Sequence, residues 1–300
     1  MKQQRLTSDQ WSQFWSRDSI TTFVRPFNGN YDREFADFWS AQFARLADGA
    51  RVVDLATGNG AIALLAQQFA VEHGRTFAVL GIDYAQIDPA RMLAAHENLR
   101  PLLEAIEFCG GVRMEASELA DASVDLLTSQ YGFEYADTDA AVAEARRVLK
   151  RGGRMALILH HDASIVVEHA REGLDQVQFC LQKEEIDKRL AALVKVIGGA
   201  TTPEQRRALK TNRKAESLRK KVNASLTRIK QRSREYTDPE GFMGVMVPNL
   251  LKVFGEHKDA SLAQKLKHVR DVRAAFDAYR ERMADLAGAA LSPAEFDVLV

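Results

Sequence analysis

The chain has 300 residues, 46% hydrophobic and 27% charged, and its 41 basic side chains cancel its 41 acidic ones. At roughly 150 residues per domain, that length predicts one large domain or two modest ones, with enough interior to need no covalent staples. The zero balance excludes a whole-chain field for polyanions. Cys109 and Cys180 stand outside any C-x-x-C or Cys/His cluster, so neither a disulfide framework nor structural zinc is expected. The first fifteen residues lack an apolar h-region, and runs such as Met155 to Leu159 are too short to span a bilayer, so a cytoplasmic protein is expected.

The chain opens on an aromatic-rich leader, 1–49, carrying Trp11, Phe14, Trp15, Phe23, Phe27, Tyr31, Phe35, Phe38 and Trp39. These rings fit either a lid over a cleft or a helix packed on a sheet. Over 50–162, strand and helix signals alternate. The apolar run Arg51–Leu55 precedes a helix from Ala61, Ala78–Ile82 a helix from Pro89, Val124–Ser129 a helix from Asp139, and Met155–His160 follows. This alternation predicts βαβ units and a doubly wound, mostly parallel sheet covered on both faces, an α/β fold.

From about 163 to the end the pattern is helical. Leu262, Leu266, Val269, Val272, Phe276, Tyr279, Met283 and Leu286 recur at threes and fours, which is one apolar stripe, packed within the chain or in a homodimeric coiled coil. The neutral total hides two unlike halves: residues 1–160 hold 21 acidic and 16 basic side chains, the remainder 20 and 25. Between 183 and 234 there are 16 basic and 5 acidic residues. That stretch reads as a solvated face or as a nucleic-acid surface, although it lacks aromatics that would stack on bases.

The chemistry concentrates in Asp54-Leu55-Ala56-Thr57-Gly58-Asn59-Gly60. A strand that ends in a glycine turn and opens a helix presents backbone N–H groups to a ligand, and glycine permits close approach. Asp83 ends the next apolar run, where a carboxylate accepts hydrogen bonds from ribose hydroxyls or caps a helix. Gly58-x-Gly60-x-x-Ala63 also satisfies the dinucleotide pattern, which keeps a nicotinamide-dependent oxidoreductase as an alternative. Asp54 inside the strand, where dinucleotide folds usually carry an apolar residue, and the block Arg147-Val148-Leu149-Lys150-Arg151-Gly152-Gly153 tilt the reading away from it.

With those blocks in order, the stretch from Ala50 to His161 resembles the class I, Rossmann-like S-adenosylmethionine-dependent methyltransferases. Ala56 stands where many members have glycine, Glu115 where they more often have aspartate, and Val124–Tyr131 resembles the fourth strand and its active-site end. The resemblance implies that Gly58 and Gly60 underlie the cofactor's methionine part with Asp54 and Ala56 shaping the turn. It further implies that Asp83 holds the ribose, that Tyr84 lies along the adenine, and that Glu115 and Ala116 meet its amino group. Gln130 and Tyr31 complete the expected cofactor contacts.

Methyl transfer needs alignment of donor and acceptor, and a base only where the acceptor sheds a proton. Ligands sit beyond the carboxyl ends of the strands, which selects Gln130, Tyr131 and Glu134 after one strand and His160, His161 and Asp162 after another. Tyr131, His160 and His161 are the catalytic candidates; a structural role competes for each histidine. No metal ligand set is present. The segment Ser129-Gln130-Tyr131-Gly132-Phe133 lacks the motifs of base-methylating enzymes, so a small-molecule O or N acceptor is expected. RNA or protein as acceptor, and a scaffold without acceptor site, are the alternatives.

In the family, helices after the fifth strand commonly roof the acceptor pocket and the sheet ends in an antiparallel pair. The late strand candidates here are Phe242–Val247 and Phe296–Val300, but Ser292-Pro293-Ala294-Glu295 reads as a capping box. The expectation is that a natural version continues past residue 300.

Overall fold

The computed structural model describes residues 5–22, 29–200, 202–237 and 242–299; Phe23, Phe27, Asn28 and Val300 lie outside the described residues. The chain divides into two compact units, Met1–His161 with Ala289–Val300, and Asp162–Gly288.

The first unit begins with α1 (Ser8–Trp15) and α2 (Arg33–Phe43), followed by β1 (Ala50–Leu55), α3 (Ala61–Glu72), β2 (Phe77–Asp83), α4 (Pro89–Ala95), α5 (Arg100–Leu103) and β3 (Ile106–Gly110). It continues through β4 (Val124–Gln130), α6 (Thr138–Val148) and β5 (Leu149–Ile158). The five strands pair in parallel in the order β3-β2-β1-β4-β5, the Rossmann-like arrangement expected. Val52, Val53 and Leu55 of β1 are all buried, as a strand covered on both faces requires. One face packs on α2 and α3 through Trp39, Phe43, Ile62 and Phe69. The other packs on α6 through Ala141, Ala145 and Val148. Trp39 and Phe43 therefore serve as packing residues.

Strand β3 has no counterpart among the strands expected from the sequence. It is five residues long with Glu107 exposed, too short for a clear alternation. Its Phe108 ring packs under Gly60, 2.8 Å from where a Cβ would sit. Between β4 and β5, Gly152 takes φ +83° and the pairing jumps from Val124↔Leu149 to Leu126↔Arg154, so the Gly152-Gly153 turn bulges out before the strand resumes.

The second unit holds α7 (Ile165–Gln178), a π turn at Phe179–Lys183, α8 (Ile186–Ile197), α9 (Pro203–Ala208), α10 (Arg213–Ser233), α11 (Phe242–Leu251) and most of α12 (Leu262–Ala289). Phe242–Val247, read as a strand candidate, lies in α11: the run is apolar at nearly every position, so periodicity could not separate helix from strand. The α12 stripe from Leu262 to Tyr279 packs within this unit against Ile186, Leu190, Val222, Ile229 and Met243. No helix among the described residues is long and apolar enough to cross a membrane.

The chain then returns to the first unit. Leu291 N–H donates to His160 O at 2.8 Å, and α13 (Pro293–Leu299) follows the Ser292 capping box. Phe296, the other strand candidate, therefore sits in a helix.

Candidate active site

The turn after β1 is built by buried polar contacts. Asp54, 1% exposed, accepts the Thr57 hydroxyl at 2.7 Å on one oxygen and the Thr128 hydroxyl of β4 at 2.8 Å on the other. Burial, opposed by those two donors, pushes its carboxyl up to about 7. Asp54 thus ties β1, its turn and β4 together from beneath. Above it Ala56, Gly58 and Gly60 take φ +53°, +55° and +88°. Ala56 thus holds a left-handed backbone that glycine adopts freely.

Asp83 ends β2 beside that turn. The Gly58 N–H donates to its Oδ2 and the Ala85 N–H to its Oδ1, each at 2.7 Å. Burial lifts this carboxyl to about 6, with both N–H groups pulling the other way. Each carboxylate oxygen keeps a second lone pair for a hydroxyl donor. Tyr84, 38% exposed, carries the Arg113 guanidinium 5.2 Å from its ring centre. Glu115 accepts Arg113 at 2.9 Å and the Asp137 N–H at 3.1 Å, so its carboxylate joins the loop after β3 to the start of α6. Ala116 is exposed on the same loop.

The carboxyl ends of β4 and β5 form a second, denser cluster. Gln130 accepts Trp39 Nε1 at 2.7 Å, while its own Nε2 is buried without a partner. Tyr131 takes φ +58°, a strained position for a bulky side chain, and stacks on His160 with ring centres 4.4 Å apart and planes 10° apart. Gly132 abuts Ala56 so closely that a Cβ there would overlap the alanine methyl, which places this turn directly beside the glycine turn of β1. Glu134, 1% exposed, accepts the His160 backbone N–H at 2.8 Å on Oε1, and its Oε2 has no partner. Desolvation raises Glu134 to about 7 and lowers His160 to about 4, so the imidazole is neutral. Burial also drives Tyr131 up to about 12.

Tyr31, buried, shares a hydrogen bond with Thr22 at 3.1 Å and leans on Phe35, whose ring meets Tyr131 edge-on. His161 faces Phe296 of α13, with ring centres 5.4 Å apart, and its backbone bridges to Leu291. The structure therefore brings Tyr131 and His160 together, while His161 is turned toward the C-terminal segment.

Two residues that are neither cofactor contacts nor catalytic candidates by sequence, Trp15 among the leader rings and Glu134 beyond the fourth strand, stand against the glycine turn and the β4 end. Trp15, at the end of α1, lays its ring on Gly58, where any Cβ would overlap it. Arg91 of α4 anchors that end of the leader through the carbonyls of Trp15, Ser16 and Arg17, and Asn59 Nδ2 donates to Arg17 O and Ser19 O. The strand-end rule selects Glu134 without making it a catalytic candidate; its acid within Gly-Phe-Glu-Tyr, a mostly apolar context, is the further signal.

A family model described as a methyltransferase domain matches residues 53–157. The chain is 31% identical over 149 residues to the malonyl-[acyl-carrier protein] O-methyltransferase of Methylococcus capsulatus, covering 48% of this chain and 50% of that protein. It is 28% identical over 128 residues to a ubiquinone/menaquinone biosynthesis C-methyltransferase of Geotalea uraniireducens, covering 42% and 52%. Among solved structures, a putative S-adenosyl-L-methionine-dependent methyltransferase from Methanococcus maripaludis overlays with a TM-score of 0.39 at 18% identity, covering 53% of this chain and 68% of that one. The chain spans about half the length of the curated relatives it matches. The family match falls on the stretch from β1 to β5 that carries the glycine turn, Asp83 and the β4 end, so residues 53–157 are similar to a methyltransferase domain.

Proposed function

We propose that the chain moves a methyl group from S-adenosylmethionine to an oxygen or nitrogen of a small molecule. The observation that carries this reading is the paired fixation of the Gly58 N–H and the Ala85 N–H by Asp83, which holds a carboxylate, a glycine turn and a helix start in one rigid unit. Asp83 would take the ribose hydroxyls, Gly58 and Gly60 the methionine part, and Tyr84 with the Glu115–Ala116 loop the base. The cofactor supplies an electrophilic methyl carbon on a sulfonium. The β4 and β5 ends, one turn away, align the acceptor.

Calorimetric titration with S-adenosylhomocysteine tests the reading. Saturable binding is expected, weakened tenfold or more in Asp83→Ala by loss of charge-assisted hydrogen bonds. Absence of binding to the native chain would overturn it.

A second reading, an RNA acceptor docked on the helical unit, rests on Arg207, Lys210, Arg213, Lys214, Lys220 and Lys221. All six are exposed and gather around the N-terminal half of α10, where the helix dipole disfavours cations. Affinity for duplex RNA falling steeply with salt would support it, and a flat response would remove it.

A further inference from the structure

Four buried polar atoms lack a hydrogen-bond partner at the ends of β4 and β5: Ser129 Oγ, Gln130 Nε2, Glu134 Oε2 and His160 Nδ1. Their residues are between 0% and 8% exposed. Orphaned groups at such depth cost about 1–3 kcal/mol each, and gathering four at one end of the sheet marks a place for a ligand. The place is next to the β1 turn, because Gly132 rests on Ala56. Flat rings cluster with these residues: Tyr131 stacked on His160, Tyr135 edge-on to His160 at 6.3 Å, and Phe35 edge-on to Tyr131. Only one of the four atoms belongs to a carboxyl group. Glu134 is held by the His160 N–H on one oxygen and keeps the other unengaged.

We propose that Glu134 is the proton acceptor of the reaction and that the methyl acceptor is a flat hydroxy-aromatic molecule. This inference rests on the methyl-transfer reading. The hydroxyl proton passes to Glu134 Oε2, the oxygen bonds to the methyl carbon, and the carbon–sulfur bond breaks with its electron pair staying on sulfur. The products are an aryl methyl ether, a neutral thioether and a neutral carboxylic acid, whose proton then returns to solvent. A carboxylate and a sulfonium are consumed together, so a desolvated site favours the step. Anionic acceptors are disfavoured by three buried carboxyls at this end of the sheet, Asp54, Asp83 and Glu134. Burial holds Glu134 at about 7, matched to a base working near neutrality. The groups that face it are the neutral His160 just beyond β5, Tyr131 and Tyr135 from its own turn, and Arg5 of the leader, which donates to the Glu134 carbonyl at 3.3 Å and lies over the Tyr135 ring.

The test uses the full chain saturated with S-adenosylhomocysteine, binding of which is first checked by calorimetry, and 2-naphthol as the probe. The excited naphthol is a strong acid, so its emission reports a nearby base without any turnover. Saturable binding with naphtholate emission is expected in the native chain, fading below pH of about 7 as Glu134 gains its proton. Glu134→Gln should bind the probe but emit as neutral naphthol, and Glu134→Asp should restore part of the naphtholate signal. With tritiated S-adenosylmethionine, transfer to 2-naphthol should fall at least a hundredfold in Glu134→Gln while S-adenosylhomocysteine affinity stays within twofold. No saturable binding of 2-naphthol overturns the acceptor class. Identical emission and transfer in native chain and Glu134→Gln overturn the base. If Glu134→Gln does not fold, Glu134→Ala with the native emission and its native pH dependence overturns it equally. Loss of S-adenosylhomocysteine binding in the native chain would instead strike the methyl-transfer reading.

Discussion

The Gly58 N–H lies 2.7 Å from Asp83 Oδ2, and the opposite face of the same glycine is covered by the ring of Trp15. One residue without a side chain is thus pressed between an acid from β2 and an indole from the leader. Gly58→Ala combines a positive φ with a direct overlap on Trp15, so its expected cost is about 2 kcal/mol or more. A urea titration measures that loss, and an unchanged midpoint would show that α1 moves aside freely.

A ligand lying on Gly58 must share that face with Trp15. Addition of S-adenosylhomocysteine should therefore change the indole emission saturably. The change should be largely lost in Trp15→Phe, while Trp11→Phe retains it. Equal responses in both variants would place the cofactor away from Gly58.

Ala56 and Gly132 form a coupled pair. Gly132 has an ordinary φ of −137°, so Gly132→Ala is hindered only by its neighbours, chiefly the Ala56 methyl, with Ser129 Oγ at 3.1 Å. Alone it should destabilise by about 1–3 kcal/mol. Ala56→Gly removes both the left-handed strain and the obstructing methyl, so the double variant should recover at least about 1 kcal/mol of that loss. Additive effects in a double-mutant cycle would mean that the two turns do not touch.

How much of this was readable in the sequence follows from which contacts are local. The Asp54–Gly60 turn, Asp83 and the β4 end lie on chain segments whose glycines and strand patterns declare themselves, and the structure brings them together in the expected order. Three features depend on distant packing. Trp15 reaches Gly58 only because Arg91 and Asn59 hold the intervening loop. Glu134 is orphaned only because β5 ends opposite it, with the His160 N–H on one oxygen. The return of the chain at Leu291 to His160 spans more than a hundred residues, which no periodicity encodes. His161 illustrates the limit: adjacent to His160 in sequence, it faces Phe296 instead of the Tyr131 stack.

Buried acids also set the stability of this fold against pH. Asp54 and Glu134 titrate near about 7 and Asp83 near about 6, all raised from ordinary carboxyl values of 3.8 or 4.5. The folded state therefore holds their protons more tightly than the unfolded chain. Their contribution is full below about pH 4 and is lost as pH rises through 6 to 7. His160 acts oppositely: lowered from 6.5 to about 4, it contributes above pH 6.5 and loses that contribution as pH falls toward 4. Glu134→Gln keeps an acceptor for the His160 N–H and removes the ionisation. The variant should gain more stability at pH 8 than at pH 5, by about 2–3 kcal/mol from the size of the shift. Urea midpoints of both chains at the two pH values measure it. An equal difference at both would mean that Glu134 titrates as an ordinary surface carboxylate, which would also remove the reason to expect a base there near neutrality.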